Sequence, residues 1–178
     1  MNAPTMSTPQ ERMDAAFDNY FALSSILRDD LLALFESESD SQHWRRNFVR
    51  VSASLIEGYA HCLREMCAVS FACVAPEIDK KESEVIRSEQ SFSANERIKL
   101  TLRAAYKLFE LQPAPNFGGA EWPRAQRALE KRHSLMHPKT PADLQIPDAL
   151  WVELREDVAW LIEQLFNFIA ALQAKHGG

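Results

Sequence analysis

An all-α fold is what this chain predicts, and three observations carry the prediction. Apolar residues recur at helical spacing in almost every segment. No segment alternates apolar and polar residues between hairpin turns. The prolines fall between the periodic stretches or at their ends and not inside them. The 178 residues suit one ordinary domain. The expected architecture is therefore a single up-and-down bundle of four to five helices over residues 1–178, with 1–9 and 176–178 flexible.

The first helix should run from about Gln10 to Phe35, with Phe17, Tyr20, Leu27, Leu31 and Leu34 on one stripe. The acidic, serine-rich stretch Glu36 to Asp40 ends it. A longer helix follows from about Ser41 to Val74, because Pro76 lacks an amide donor and disfavours helix in the residue before it. Its core side reads Phe48, Leu55, Tyr59, Leu63, Met66 and Val74. Glu77 to Ser91 is charged, with only Ile78, Val85 and Ile86 to bury, and reads as a loop or a short surface helix.

Ser93-Ala94-Asn95-Glu96 has the spacing of a capping box and should start a helix with Ile98, Leu102, Ala105 and Phe109 inward, ending before Pro113. Pro115, Gly118 and Gly119 make the next segment a loop, and Pro123 suits the first turn of a helix that ends at Pro138. A further loop through Pro141 and Pro147 leads to a last helix over about Asp148 to Ala174. There Val158, Leu161, Leu165, Phe168 and Leu172 have the 3-4-3-4 steps of a bundle seam. Leu154, Ile162, Phe166 and Ile169 widen that stripe, so this helix should meet several neighbours at once.

With 46% hydrophobic and 25% charged residues the chain has enough to build a core, which excludes a disordered protein. A net charge of −5 and a pI near 5.6 argue against a protein that coats nucleic acid with a broad basic face, so any such contact should be local. The three cysteines Cys62, Cys67 and Cys73 lack CxxC spacing and fall in one apolar helical stretch as small core fillers, which fits a reducing cytoplasm. No signal peptide is evident at the N-terminus. The longest uncharged run, from Met66, is about half of what a membrane span needs.

One stretch carries chemistry: Arg132-His133-Ser134-Leu135-Met136-His137-Pro138. A histidine moves protons near neutral pH, and a guanidinium presents a planar fork of donors that fits phosphate oxygens. On an unbroken helix five residues turn the chain by about 140° beyond one full turn, so Arg132 and His137 would diverge. Pro138 supplies a helix end that releases His137 from helical geometry and makes convergence possible. Around the motif Arg124, Arg127, Lys131, Arg132 and Lys139 stand against Glu121 and Glu130, a local balance of +3. Arg28 to Asp40, with one arginine against five carboxylates, has the opposite sign.

Arg132-His133-x-x-x-His137 resembles the signature of HEPN domains, an arginine and a histidine four to six residues apart with a polar residue after the arginine. Lys131 to Lys139, followed by Asp143-Leu144 and a long closing helix, is similar to the C-terminal half of prokaryotic HEPN-like proteins. Trp44-Arg45-Arg46-Asn47-Phe48-Val49-Arg50, then Leu55-Ile56-Glu57-Gly58, resembles their long central helix. The resemblance covers most of the chain in architecture and some 20 residues in motif.

What the resemblance implies is a helical bundle that pairs as a homodimer, brings two motifs to one cleft and cleaves RNA without a metal or other cofactor. His137 would take a proton from a ribose 2′-hydroxyl or give one to the leaving oxygen, and Arg132 would stabilise charge on the phosphorane. His133 holds the family's polar position, often asparagine, and Glu57 a position that orients the motif. Arg46, Arg50, Lys131 and Lys139 are the candidates to bind or orient RNA. The nucleophile is the 2′-hydroxyl, so DNA should be inert. A toxin of a toxin–antitoxin or phage-defence system, with an antitoxin protein as partner, is the implied setting; the alternative is a non-catalytic dimerisation or RNA-binding module.

Each residue also admits a structural account. Arg132 and His137 are cations suited to a helix C-terminus, where they gain a few tenths to ~1 kcal/mol. His133 and His137 are i, i+4 and could grip a metal, but Ser134 stands where a zincin has glutamate and no further ligand is evident. Arg46, Arg50, Glu57 and Arg64 read equally as a solvated helix face, with Glu57 paired to His61. Trp44, Trp122, Trp151 and Trp160 belong to a core sooner than to base-stacking platforms. Glu36 to Asp40 could complement the basic motif across a dimer or dock a cationic antitoxin, or be a solvated loop.

Overall fold

Thr8 accepts a hydrogen bond from the Glu11 amide, and the Glu11 carboxylate takes one back from the Thr8 amide, so the first helix opens on a reciprocal cap with Pro9 at its first position. A computed structural model describes residues 8–37, 39–73, 77–89 and 91–176. They form α1 (Pro9–Glu36), α2 (Gln42–Cys73), α3 (Lys80–Arg87), α4 (Ala94–Leu108), α5 (Glu121–Met136) and α6 (Asp148–His176), with a 3₁₀ turn over Pro141–Leu144. Among the described residues the fold is an all-α bundle without strands, and its helices number six where four to five were expected. Of the tails expected to be flexible, 1–7 and 177–178 lie outside the described residues, whereas Thr8 and Pro9 cap and begin α1 and His176 ends α6.

The central element is α2, against which α1, α3, α4, α5 and α6 all pack. The predicted Phe48, Leu55, Tyr59, Leu63 and Met66 are all buried on it; Val74 lies outside the described residues. At Gly58 a Cβ would stand 2.5 Å from Leu27 Cδ1, so the Leu27 side chain of α1 packs over the bare backbone of α2 and would have to move for any larger residue. Tyr20 of α1 meets Tyr59 edge-on beside that contact, at 5.2 Å. Trp44, Phe48 and Trp151 form an aromatic cluster that fastens the starts of α2 and α6, so these tryptophans are core residues. Cys62 and Cys67 are core fillers, but Cys73 is exposed in the last turn of α2, which corrects the grouping of all three.

In the segment after α2 the short helix forms, of the two alternatives offered, but it is not a surface helix. α3 is a real helix with an Asp79–Glu82 capping box, and it buries Val85 and Ile86 together with two carboxylates, Glu82 and Glu84. Glu82 is fully buried and held by Lys107 Nζ at 2.7 Å and Arg103 Nε at 3.1 Å, both from α4. The charge of Glu82 is thus neutralised by cations 21 and 25 residues away in sequence, which locks α3 onto α4, while Glu84 lies 3.7 Å from Lys80 of its own helix. α4 starts as predicted, with Ser93 accepting from the Glu96 amide, although Glu96 bonds the Ser93 hydroxyl and not its amide.

α5 begins two residues before Pro123, which therefore sits in the first turn where amides lack intrahelical partners. Along α6 the predicted seam, Val158, Leu161, Leu165, Phe168 and Leu172, is buried throughout, as is Leu154. The widened side behaves differently: Ile162 and Ile169 are half-buried, and Phe166 is 41% exposed although its ring meets Tyr59 of α2 edge-on at 5.5 Å. No helix among the described residues is long and apolar enough to cross a membrane.

Candidate functional site

α5 carries the Arg132 motif at its C-terminal end. Its last turn closes with His137 as C-cap, at φ −129° and ψ 59°, while the His137 amide still donates to the His133 carbonyl at 3.0 Å. Pro138 forces that departure, since proline excludes helical geometry from the residue before it. The His137 ring then stands 5.0 Å from the His133 ring, tilted by 52°, and both are exposed. Arg132 turns the other way: its Nη2 donates to Glu57 Oε2 of α2 at 3.0 Å, with the two side chains 28% and 35% exposed. The break at Pro138 therefore gathers the two imidazoles on one side of the helix end and leaves the guanidinium on the side facing α2.

The face of α2 that Arg132 meets is the polar line singled out in the sequence. Arg46, Arg50 and Glu57 lie within about 40° of one another around that helix. Arg50 Nη2 donates to the Leu135 carbonyl at 3.1 Å, which supplies a partner to one of the carbonyls that a helix C-terminus leaves open. Arg46 Nη1 donates to the Leu144 carbonyl at 3.1 Å. Lys131 Nζ donates to the Asp143 carbonyl at 2.8 Å, and burial lowers its pKa against the opposing pull of Asp143. Three of the predicted RNA-binding cations thus each spend a donor on backbone carbonyls, Arg46 and Lys131 in the α5–α6 connection and Arg50 in the last turn of α5. Lys139 is exposed, and its amide donates to Asp143.

Asp143 is the hub of that connection. Its Oδ2 accepts from the amides of Thr140 (2.8 Å) and Lys139 (2.9 Å) and from the Thr140 hydroxyl (3.2 Å), and those amides, Thr140 first, hold the carboxyl below the usual carboxylate range. Gln42 clamps the far end, its carboxamide exchanging two hydrogen bonds of 2.8 Å with the amide and carbonyl of Ile146. Arg45, 3% exposed, joins Asp40, the Ile146 carbonyl and Asp148. The sequence reading passed over Gln42 and Arg45. The available signal was a polar pair flanking Trp44 at the start of an apolar helix.

Several expectations are corrected here. Glu57 pairs with Arg132 and not with His61, which instead meets Arg64 Nη2 at 3.0 Å. Asp40, offered as a docking charge, is engaged by Arg45 of its own chain. The local excess of positive charge is smaller than counted: Arg124 is bound by Glu156 (2.6 Å) and Asp157 (2.8 Å), and Arg127 lies 3.7 Å from Glu153. Asp157 is itself buried and its pKa is raised, because burial outweighs the attraction of Arg124 and Arg127. The cations left around the motif are those of α2 and of Lys131, Arg132 and Lys139. Among the described residues no group of three or more His, Cys, Asp or Glu side chains is placed to hold a metal ion.

The arrangement offers a guanidinium steadied by a carboxylate, two exposed imidazoles able to exchange protons with solvent, and a rigid backbone beneath them. Compared with protein-family models, curated proteins and solved structures, the chain matches none.

Proposed function

We propose that this chain is a HEPN-like, metal-independent endoribonuclease that acts as a homodimer, in the manner of a toxin whose antitoxin is a second protein. The observation that carries the reading is the Glu57–Arg132 pair, which holds the motif arginine at the helix end that also presents His133 and His137 to solvent. Nothing in the sequence spacing alone required α2 to supply a carboxylate to that arginine.

In the reaction, His137 removes the proton from a ribose 2′-hydroxyl and the 2′-oxygen attacks the adjacent phosphorus. The phosphorus passes through a five-coordinate state whose added negative charge meets the Arg132 donors. The bond to the 5′-oxygen then breaks, the departing oxygen takes a proton from His133 or from water, and the products are a 2′,3′-cyclic phosphate and a 5′-hydroxyl. Lys139 and the outer donors of Arg46 and Arg50 lie around the same end and supply phosphate contacts. The test is cleavage of a mixed RNA pool in EDTA by the wild type and by a folded His137→Ala variant, with the ends analysed. Cyclic ends from the wild type alone are expected; cleavage of equal rate by the variant would sink the assignment of His137.

A second reading has its own supporting observation. Arg46, Arg50, Lys131 and Arg132 each spend a donor within the fold, as cations that merely build a helix end would. In that case the chain is a non-catalytic dimerisation or RNA-binding module. Growth arrest on expression that disappears with His137→Ala favours the nuclease; a harmless wild type that loses RNA binding with Arg132→Ala favours the module.

A further inference from the structure

The connection from α4 to α5, residues 109–120, lines two adjoining cavities of about 530 and 470 Å³, each within the size range of small-molecule sites. They share Tyr106, Gln112, Ala114 and Pro115, so they form one cleft of two compartments. The smaller compartment is cationic. Lys99, Arg103 and Lys107 follow one another at four-residue steps along α4 and line it together with Phe117. Two of these cations are fixed by α3 and its cap: Arg103 Nε lies 3.1 Å from Glu82 and its Nη2 3.2 Å from Asp79, which leaves Nη1, and Lys107 Nζ lies 2.7 Å from Glu82. Lys99 has no carboxylate partner among the described residues; its ammonium stands 5.7 Å from the Phe117 ring and 5.8 Å from the Trp122 ring. Three cations against two carboxylates leave one positive charge over, and it lies at Lys99.

The larger compartment is rich in carboxamides. Gln112 and Asn116 of the connection, Glu121 at the start of α5, and Gln164 and Asn167 of α6 line it beside the half-buried Trp160. Among the described residues the side chains of Gln112 and Asn167 make no hydrogen bond. Tyr106 stands where the two compartments meet. It is 4% exposed, and a buried tyrosine hydroxyl ordinarily finds a partner, yet this one has none among the described residues. A donor left open at that junction is one a bound molecule would satisfy.

We infer that this cleft binds a phosphorylated sugar or polyol, with the phosphate at Lys99 and Arg103 and the hydroxyls among the carboxamides. A phosphate suits the compartment that has cationic charge to spare, and Glu121 in the other compartment repels it, so the ligand has one direction in the cleft. A carboxamide carries both donor and acceptor, as a hydroxyl needs. The carboxamides arrive from the connection and from α6, which suits groups set all around a small molecule better than the single edge of a planar base. Trp160 gives the carbon-bound hydrogens of a sugar ring a flat apolar face to lie against. Because α3 already holds Arg103 and Lys107, little side-chain ordering is left to oppose binding.

No residue of the Arg132 motif lines either compartment. Trp122, which meets Phe117 edge-on at 5.1 Å, lies near the start of α5, and Arg132 is about 15 Å farther along that helix. The inference is therefore independent of the ribonuclease reading, and RNA cleavage or its failure leaves it standing.

The test is calorimetric titration of the full chain with glucose 6-phosphate, ribose 5-phosphate and glycerol 3-phosphate, each beside its unphosphorylated parent, and with inorganic phosphate and adenosine 5′-monophosphate. At least one of the three phosphorylated compounds is expected to bind, about tenfold or more tighter than its parent and than inorganic phosphate. Lys99→Gln, which breaks no ion pair, should bring that compound down to the affinity of its parent. Asn167→Ala, at an exposed position without hydrogen bonds, should weaken the compound and its parent alike, by about three- to tenfold. Both variants should melt with the wild type, so a loss of binding is not a loss of fold. Binding by none of the three overturns the inference, and so does an affinity that Lys99→Gln leaves unchanged. Inorganic phosphate binding as tightly as the sugar phosphates would reduce the cleft to an anion contact, and adenosine monophosphate binding more tightly than ribose 5-phosphate would put a base among the carboxamides; either result overturns the assignment.

Discussion

Replacing Glu57 by glutamine removes the charge opposite Arg132 while keeping the size of the side chain and one acceptor oxygen. The pair is 3.0 Å long and its side chains are 28% and 35% exposed, so it lies between a surface ion pair, worth ~0.2–1 kcal/mol, and a buried one. About 1 kcal/mol is the expected loss of stability, a fall of roughly 2–4 °C in melting temperature for a chain of this size. If the role of Glu57 is to hold the guanidinium in place, the same free energy appears in the reaction as a fall of about fivefold in cleavage rate. Arg132→Ala removes the donors themselves, and a loss of about 10²–10³ is expected, as for a charge-stabilising donor elsewhere. The two changes should not add: once Arg132 is alanine, Glu57→Gln has nothing left to disturb. Single-turnover cleavage and thermal melts of the four proteins of the cycle decide the matter. Additive effects on rate would refute the positioning role. A loss with Glu57→Gln alone as large as with Arg132→Ala, at an unchanged melting temperature, would instead make Glu57 a participant in the chemistry.

Further expectations follow from the same geometry. Arg45→Ala removes the contacts to Asp40, Asp148 and the Ile146 carbonyl at once; the two acids return to water, so the loss should be about 2–3 kcal/mol, read as a melting point lower by roughly 4–10 °C. Asp143 has its carboxyl depressed on folding, so the stability it adds is full above the usual carboxylate pKa and is lost as pH falls through the lower folded value. Asp143→Asn should therefore speed amide exchange at Lys139 and Thr140 at neutral pH, with the difference from wild type closing in acid; a difference that grows in acid would contradict the assignment. Asp157 has the opposite sign: its raised pKa means that the native state holds the proton longer, and stability declines as pH rises from the usual carboxylate range to the folded value. Asp157→Asn is accordingly expected to leave the melting temperature at neutral pH unchanged or higher, and a large drop would show that the ion pair with Arg124 outweighs burial.

The parts of the fold that local chemistry decides were legible in the sequence. Pro123, Pro138 and the Ser93–Glu96 spacing mark helix ends through backbone donors and steric exclusion, which need no knowledge of the rest of the chain. The inner stripe of α6 was equally plain, because burial along a long helix imposes its own period. That α3 is buried was not legible, since its inward side carries Glu82 and Glu84, and a carboxylate such as Glu82 counts as surface until its partners on α4 are known. The same blindness inflated the positive charge around the motif: Arg124 and Arg127 look available until α6 brings Glu153, Glu156 and Asp157 beside them. Glu57 was named through resemblance alone, for no spacing rule links it to a residue 75 positions away.

The cations of the motif region differ in what they would lose by meeting a phosphate. Arg46, Arg50 and Lys131 are tied to carbonyl oxygens of Leu144, Leu135 and Asp143, and taking any of them away would leave a backbone acceptor of the last turn of α5 or of the α5–α6 connection without its partner. They can lend their remaining donors but cannot leave. Arg132 is different, because its partner is the side chain of Glu57, itself a third exposed, and a carboxylate released to water is readily hydrated. Under the ribonuclease reading, a phosphate arriving at this end of α5 would exchange one anion for another at Arg132, while the cations tied to carbonyls would keep their backbone partners. On the same reading, that division would let the donors tied to carbonyls set where a phosphate sits and leave Arg132, whose partner is a side chain, to follow the charge as it grows.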